Sequence, residues 1–144
     1  MPIEFTTQQI TRNGRSHDIL AAGNLQLLQA PNWISFASSR KVTGEQFLND
    51  IQWAEDFKVE TDTLITGHQS PVEKEVAHII LNKGGRVIIV LARAPIKRLP
   101  VELKKHNDNK QVAFITLPTW TNQRPTRDRC LERNQWIDTM RRVL

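Results

Sequence analysis

The sequence predicts an α/β fold: a doubly wound, mainly parallel sheet with helices on both faces. Three observations carry that expectation. Short apolar runs bounded by turn residues recur at 33–37, 63–66, 86–91 and 112–117. The segments between them show helical spacing of apolar residues and begin with capping residues. The run Arg86-Val87-Ile88-Ile89-Val90-Leu91 is continuous rather than alternating, as in a strand covered on both faces. A length of 144 residues suits one domain.

Residues 1–22 have little periodicity, and Arg12-Asn13-Gly14-Arg15-Ser16 has turn composition, so an arm or edge element is expected before a domain of residues 23–144. A leucine-rich lead-in from Gly23 ends at Pro31, and the first central strand, Trp33-Ile34-Ser35-Phe36-Ala37, stops at Ser38-Ser39-Arg40-Lys41. Thr43 and Gln46 form a capping-box pattern for the next helix. Its face Phe47, Leu48, Ile51 and Ala54 is expected on the sheet, with Asp50, Glu55 and Asp56 in water. Thr63-Leu64-Ile65-Thr66 is the second strand, ending at Gly67.

Ser70, Pro71 and Glu73 open a further helix with a capping box, Val72, Val76, Ile79 and Ile80 form its stripe, and Lys83-Gly84-Gly85 stops it. The strand at 86–91 ends at Ala92-Arg93, a short helix is expected from Leu99 through Lys105, and Val112 to Leu117 is the fourth strand. A last helix runs from Arg127 to about Val143, with Cys130, Asn134, Ile137 and Met140 on one side.

Composition narrows the function. No apolar run approaches the ~20 residues of a membrane span, and the N-terminus lacks the regions of a signal peptide, so a cytoplasmic protein without membrane partners is expected. The single cysteine, Cys130, excludes a disulfide framework and a multi-thiolate metal site, and the four histidines are too scattered for zinc. No cofactor motif is present: Gly-x-Gly-x-x-Gly and the P-loop pattern are both absent. The net charge of +5 conceals an asymmetry: residues 1–82 carry −4 and residues 83–144 carry +9, which suits a polyanionic partner.

In an open α/β sheet, ligands bind beyond the carboxyl ends of the strands. This sequence puts there Ser38, Ser39, Arg40 and Lys41, then Thr66, Gly67, His68, Gln69 and Ser70, then Arg93, then Thr119-Trp120-Thr121. Small hydroxyls and glycine let backbone N–H groups approach a phosphate, and arginines clamp its oxygens. Glu73 and Glu75 stand in a first helical turn, where capping and solvation are their expected use and acid–base chemistry the alternative. Trp120, among Arg124, Arg127 and Arg129, either stacks a base or anchors the last helix.

Gly23-Asn24-Leu25-x-Leu27-Leu28-x-x-Pro31, a strand, and Ser39-Arg40-Lys41 resemble the start of the Rossmann-like domain of the DNA-processing protein A (DprA/Smf) family. Thr66-Gly67 resembles the family's second turn, Ser70-Pro71-x-Glu73-Lys74-Glu75 resembles a DprA-like subgroup, and Arg133-Asn134 resembles its Arg-Asn-Arg motif, with Gln135 in the last place. The resemblance, covering residues 23 to about 144, implies a Rossmann-like fold, single-stranded DNA in a basic pocket, and delivery of that DNA to a RecA-type recombinase, often by a dimer. It implies that Ser39 and Arg40 touch phosphate, that Gly67 permits close approach, and that Arg133 and Asn134 border the pocket. Where the family has glycine before Ser-Arg, this chain has Ala37-Ser38; where the family continues past the Arg-Asn helix, this chain ends, and the uncovered sheet edge this leaves is expected to favour self-association.

The function expected is therefore a DprA-like, non-enzymatic single-strand binder. The alternatives are a sensor for a nucleotide-derived ligand, a nucleotide phosphoribohydrolase of related fold, and a shortened relative with only a packing role. The phosphoribohydrolase motif Pro-Gly-Gly-x-Gly-Thr-x-x-Glu is absent, which disfavours catalysis.

Overall fold

A computed structural model describes residues 2–141 of the chain. All four apolar runs are strands, and an antiparallel hairpin precedes them. The strands are β1 (Thr6–Arg12), β2 (Arg15–Gly23), β3 (Trp33–Phe36), β4 (Thr63–Thr66), β5 (Val87–Val90) and β6 (Val112–Thr116). Across the sheet they lie in the order β1-β2-β6-β5-β4-β3. β3 to β6 pair in parallel, and β2 joins β6 antiparallel through Leu20–Gly23. Every residue of β4, β5 and β6 is buried, as uninterrupted aliphatic strands require.

The helices are α1 (Gly44–Glu55), α2 (Pro71–Asn82), α3 (Lys104–Asp108) and α4 (Arg127–Arg141). Because the parallel strands follow chain order, right-handed crossovers put the intervening helices on one face. There Ala54, Val76, Ile80 and Leu103 pack on Leu64, Val87, Ile89 and Phe114. The opposite face, with Trp33, Ile65, Ile88 and Ile115, is covered by a 3-10 helix at Leu25–Gln29 and by α4 through Trp136, Ile137 and Met140. The change of face thus comes after β6, where α4 returns across the sheet to lie against β3. The final residues of the expected last helix, 142–144, lie outside the described residues.

Local chemistry explains the Gly-Asn-Leu lead-in. Gly23 has φ +86, and a Cβ there would come 2.5 Å from the Val112 carbonyl oxygen. Asn24 then caps the 3-10 helix, accepting from the Gln26 N–H at 3.1 Å, and donates to the Lys110 carbonyl at 2.8 Å. The turn that follows β2 is thereby fastened to the entry of β6.

One expectation is corrected at α1. Ala54 is buried, but Phe47 and Leu48 are exposed, whereas Asp50 is buried. Gln46 Nε2 donates to the Asp50 carboxylate at 2.8 Å, so a polar residue tolerates the inward position. Lys83, beyond α2, secures the other end of α1 by donating to the carbonyls of Ala54, Glu55 and Phe57.

The hairpin β1–β2 extends past its pairing with β6 and folds over the α4 side of the sheet. Its tip is held by Arg12, whose guanidinium donates to the carbonyls of Met140 (3.0 Å), Ala30 (2.9 Å) and Pro31 (3.1 Å). The same group lies 3.8 Å from the centroid of a Trp33 ring. Burial pulls its pKa below the usual arginine value, a cost the three acceptors offset. Arg12→Ala is expected to lower stability by about 2 kcal/mol in urea unfolding, since charged hydrogen bonds and a ring contact are lost together. Arg12→Lys should recover less than half, because an ammonium lacks the planar fork.

Candidate functional site

The loops after β3 and β4 meet at the N-terminus of α2, and Glu73 joins them. Ser70 Oγ accepts the Glu73 N–H at 3.2 Å, while Glu73 Oε1 accepts the N–H groups of Gln69 at 2.8 Å and Ser70 at 3.0 Å. Its other oxygen, Oε2, accepts the Ser38 N–H at 3.1 Å, reaching across to the β3 loop. Glu73 is only 2% exposed. These backbone donors, expected to face a phosphate, are instead held by the chain's own carboxylate. These three N–H groups are therefore not available to a ligand anion.

Those side chains surround a cavity of about 450 Å³ at the ends of β3 and β4. Ser38, Ser39 and Arg40 come from the first loop, Gln69, Ser70 and Glu73 from the second, and Arg127, Cys130, Leu131, Arg133 and Asn134 from α4. Arg133 is 2% exposed. Its guanidinium lies flat on Gly67, where a Cβ would fall within 2.6 Å of both terminal nitrogens. Gly67 therefore makes room for Arg133, rather than for direct approach of a ligand to the main chain. Arg133 Nε donates to Asn134 Oδ1 at 3.2 Å, whereas Nη1 is buried and has no hydrogen-bond partner among the described residues. A buried guanidinium nitrogen in that state lacks an acceptor oxygen.

Ser39 lines the cavity while its Oγ donates to the Lys41 carbonyl at 2.8 Å, which shapes the loop. The remaining expected site residues go elsewhere, and Lys41 is exposed beyond the cavity lining. Thr66 is fully buried, its Oγ1 accepting the His68 N–H at 3.4 Å. Arg93 Nε donates to the neighbouring Ala94 carbonyl, and Arg93 does not line the cavity. Trp120 is corrected: at 2% exposure it packs in the α4-side core, and its Nε1 donates to Glu132 at 3.3 Å. It anchors α4 and offers no face to a base. Arg127, Cys130 and Leu131 were missed as lining residues; with Asn134 they follow i, i+3, i+4 and i+7 spacing, which marks one face of α4.

His68 points away from this cavity. Its backbone is left-handed, with φ +52, and its ring lines a second hollow of about 350 Å³ with Lys74, Glu75, His78 and Glu102. Burial lowers its pKa, Lys74 lowers it further, and Glu102 and Glu73 oppose the shift. Among the described residues, no three His, Cys, Asp or Glu side chains form a group able to hold a metal ion. No helix among them is long and apolar enough to cross a membrane.

No protein-family model matches the chain, and no curated protein sequence matches it. Among solved structures it is similar to DNA processing protein A from Helicobacter pylori, with a TM-score of 0.69 and 13% identity. The match covers 97% of this chain and 68% of that one, and the structure of that protein concerns its binding of single-stranded DNA. At this identity the likeness establishes the shared fold.

The His68 geometry carries a pH prediction. With the folded pKa below that of the unfolded chain, the unfolded state takes up the proton first on acidification. The contribution to stability is complete above about pH 6.5 and falls as pH drops toward the folded value. Urea unfolding at pH 7.5 and 5.5 should show a loss that His68→Asn reduces, asparagine being compatible with the left-handed backbone. An equal loss in both proteins would contradict the assignment.

Proposed function

We propose that the chain is a DprA-like binder of single-stranded DNA, acting in DNA processing through the cavity at the ends of β3 and β4. The observation that carries this reading is Arg133: a buried guanidinium with a partnerless Nη1, in a cavity also lined by Arg40 and Arg127. Two of the three arginines come from the basic half of the chain. The fold shared with a protein that binds single-stranded DNA supports the same partner. Binding is favoured over catalysis because both oxygens of the buried Glu73 are engaged by backbone donors. On this reading the strand is passed on to a RecA-type recombinase.

The second reading, a nucleotide-derived small ligand, is favoured by one observation. A cavity of about 450 Å³ is of small-molecule size.

Fluorescence anisotropy with an oligonucleotide across a salt series tests the first reading. Affinity should fall steeply with salt, and Arg40→Ala should weaken binding and reduce the log–log slope by about 0.7, the value for one single-strand phosphate. Wild-type affinity in Arg40→Ala would remove this cavity from the interface. We further propose pairing of two copies through a free sheet edge, β1 or β3. Sedimentation at roughly tens of micromolar should then give a dimer; a monomer would rule it out.

A further inference from the structure

We infer that the cavity at the ends of β3 and β4 takes a terminal phosphomonoester, not an internal stretch of nucleic-acid backbone. This rests on the anion-binding reading above and narrows its ligand.

Size is the first argument. About 450 Å³ is near the low end of small-molecule sites, whereas grooves that track a single strand cover several nucleotides. The surface chemistry is the second: among the described residues no aromatic side chain lines the cavity, and of the two aromatics nearest to its lining in sequence, Trp136 is buried and Phe36 packs on Trp53 at the α1 side of the sheet. Proteins that hold the interior of a strand stack its bases on aromatic rings. This cavity has no such platform, so its affinity must come from phosphate.

Charge is the third argument. Arg40, Arg127 and Arg133 share one small cavity, and Glu73, its one carboxylate among the described residues, already has its oxygens held by three backbone N–H groups. A phosphodiester brings a single negative charge to these three cations. A phosphomonoester brings about −1.5 to −2 near neutral pH, with three acceptor oxygens. The donors suit it: the Arg133 Nη1 lacks an acceptor, and Asn134 uses its Oδ1 on Arg133, which leaves its amide nitrogen to donate. The 5′ or 3′ phosphate of a strand and a free nucleotide share this chemistry.

Titration calorimetry on the full chain separates the possibilities. The ligands are one oligonucleotide sequence as a 5′-phosphorylated, a 3′-phosphorylated and an unphosphorylated linear strand, a circular single strand, and a deoxynucleoside 5′-monophosphate. At least one phosphorylated strand is expected to bind about tenfold or more tightly than the unphosphorylated one, with the circle resembling the latter. Arg133→Lys should bring that ratio close to one. If its thermal melt shows that it is unfolded, Arg127→Gln, at an exposed position, serves instead.

Tight binding of the monophosphate assigns the ligand to free nucleotides, and weak binding assigns it to strand ends. Equal affinity for the circle and the phosphorylated strands overturns the inference while leaving DNA binding intact. Binding of the monophosphate without any strand overturns DNA binding and keeps the inference. Failure of every ligand overturns both.

Discussion

The mouth of the sheet depends on one buried carboxylate. Glu73 gathers backbone N–H groups from two loops that are far apart in sequence, and it does so at the positive end of α2. Three main-chain donors at the mouth are thereby occupied by an internal anion, and the charge that faces the cavity is that of side chains. Main-chain recognition would read any oxyanion small enough to reach the loop. The positions of Arg127 and Arg133 beside Arg40 depend on how α4 is seated.

α4 serves both layers of the design. Trp136, Ile137 and Met140 bury its inner face on the sheet, while Arg127, Leu131 and Asn134 line the cavity. Arg133 sits between the two roles, buried like a core residue yet carrying the charge of a site residue. Gly67 is what permits this, because any side chain there would collide with the guanidinium. Packing and electrostatics are therefore not separable at this point: the position of the helix is the position of the charge.

Much of the fold was legible because its signals were local. Aliphatic runs gave β4, β5 and β6 their places, and capping residues marked helix starts: Ser70 and Glu73 close their capping box, whereas Thr43 accepts the Gln46 N–H but the Gln46 side chain turns to Asp50, so the box expected there does not form. The hairpin was harder to read, since in β1 only Ile10 is buried and the rest of Thr6–Arg12 is polar or exposed. The inward turn of Asp50 was hidden too, because its acceptability depends on Gln46 rather than on its own type. At the site, the loops after β3 and β4 could be named from strand ends and small residues. The pairing of Gly67 with Arg133 could not, as it joins residues brought together only by the tertiary fold. Trp120 went astray because a polar sequence neighbourhood says nothing of what lies beneath the loop.

The Arg12 clasp joins the hairpin to Met140, 128 positions away. During synthesis the N-terminal hairpin and all the parallel strands exist before α4 does, and until then the face bearing Ile65, Ile88 and Ile115 has no α4 to cover it. A chain lacking α4 leaves apolar surface uncovered and the cavity without two of its arginines, for the helix that covers that face is the one that brings Arg127 and Arg133. Arrival of α4 ends both conditions at once. The cavity thus gains its two α4 arginines in the same step that covers the apolar face.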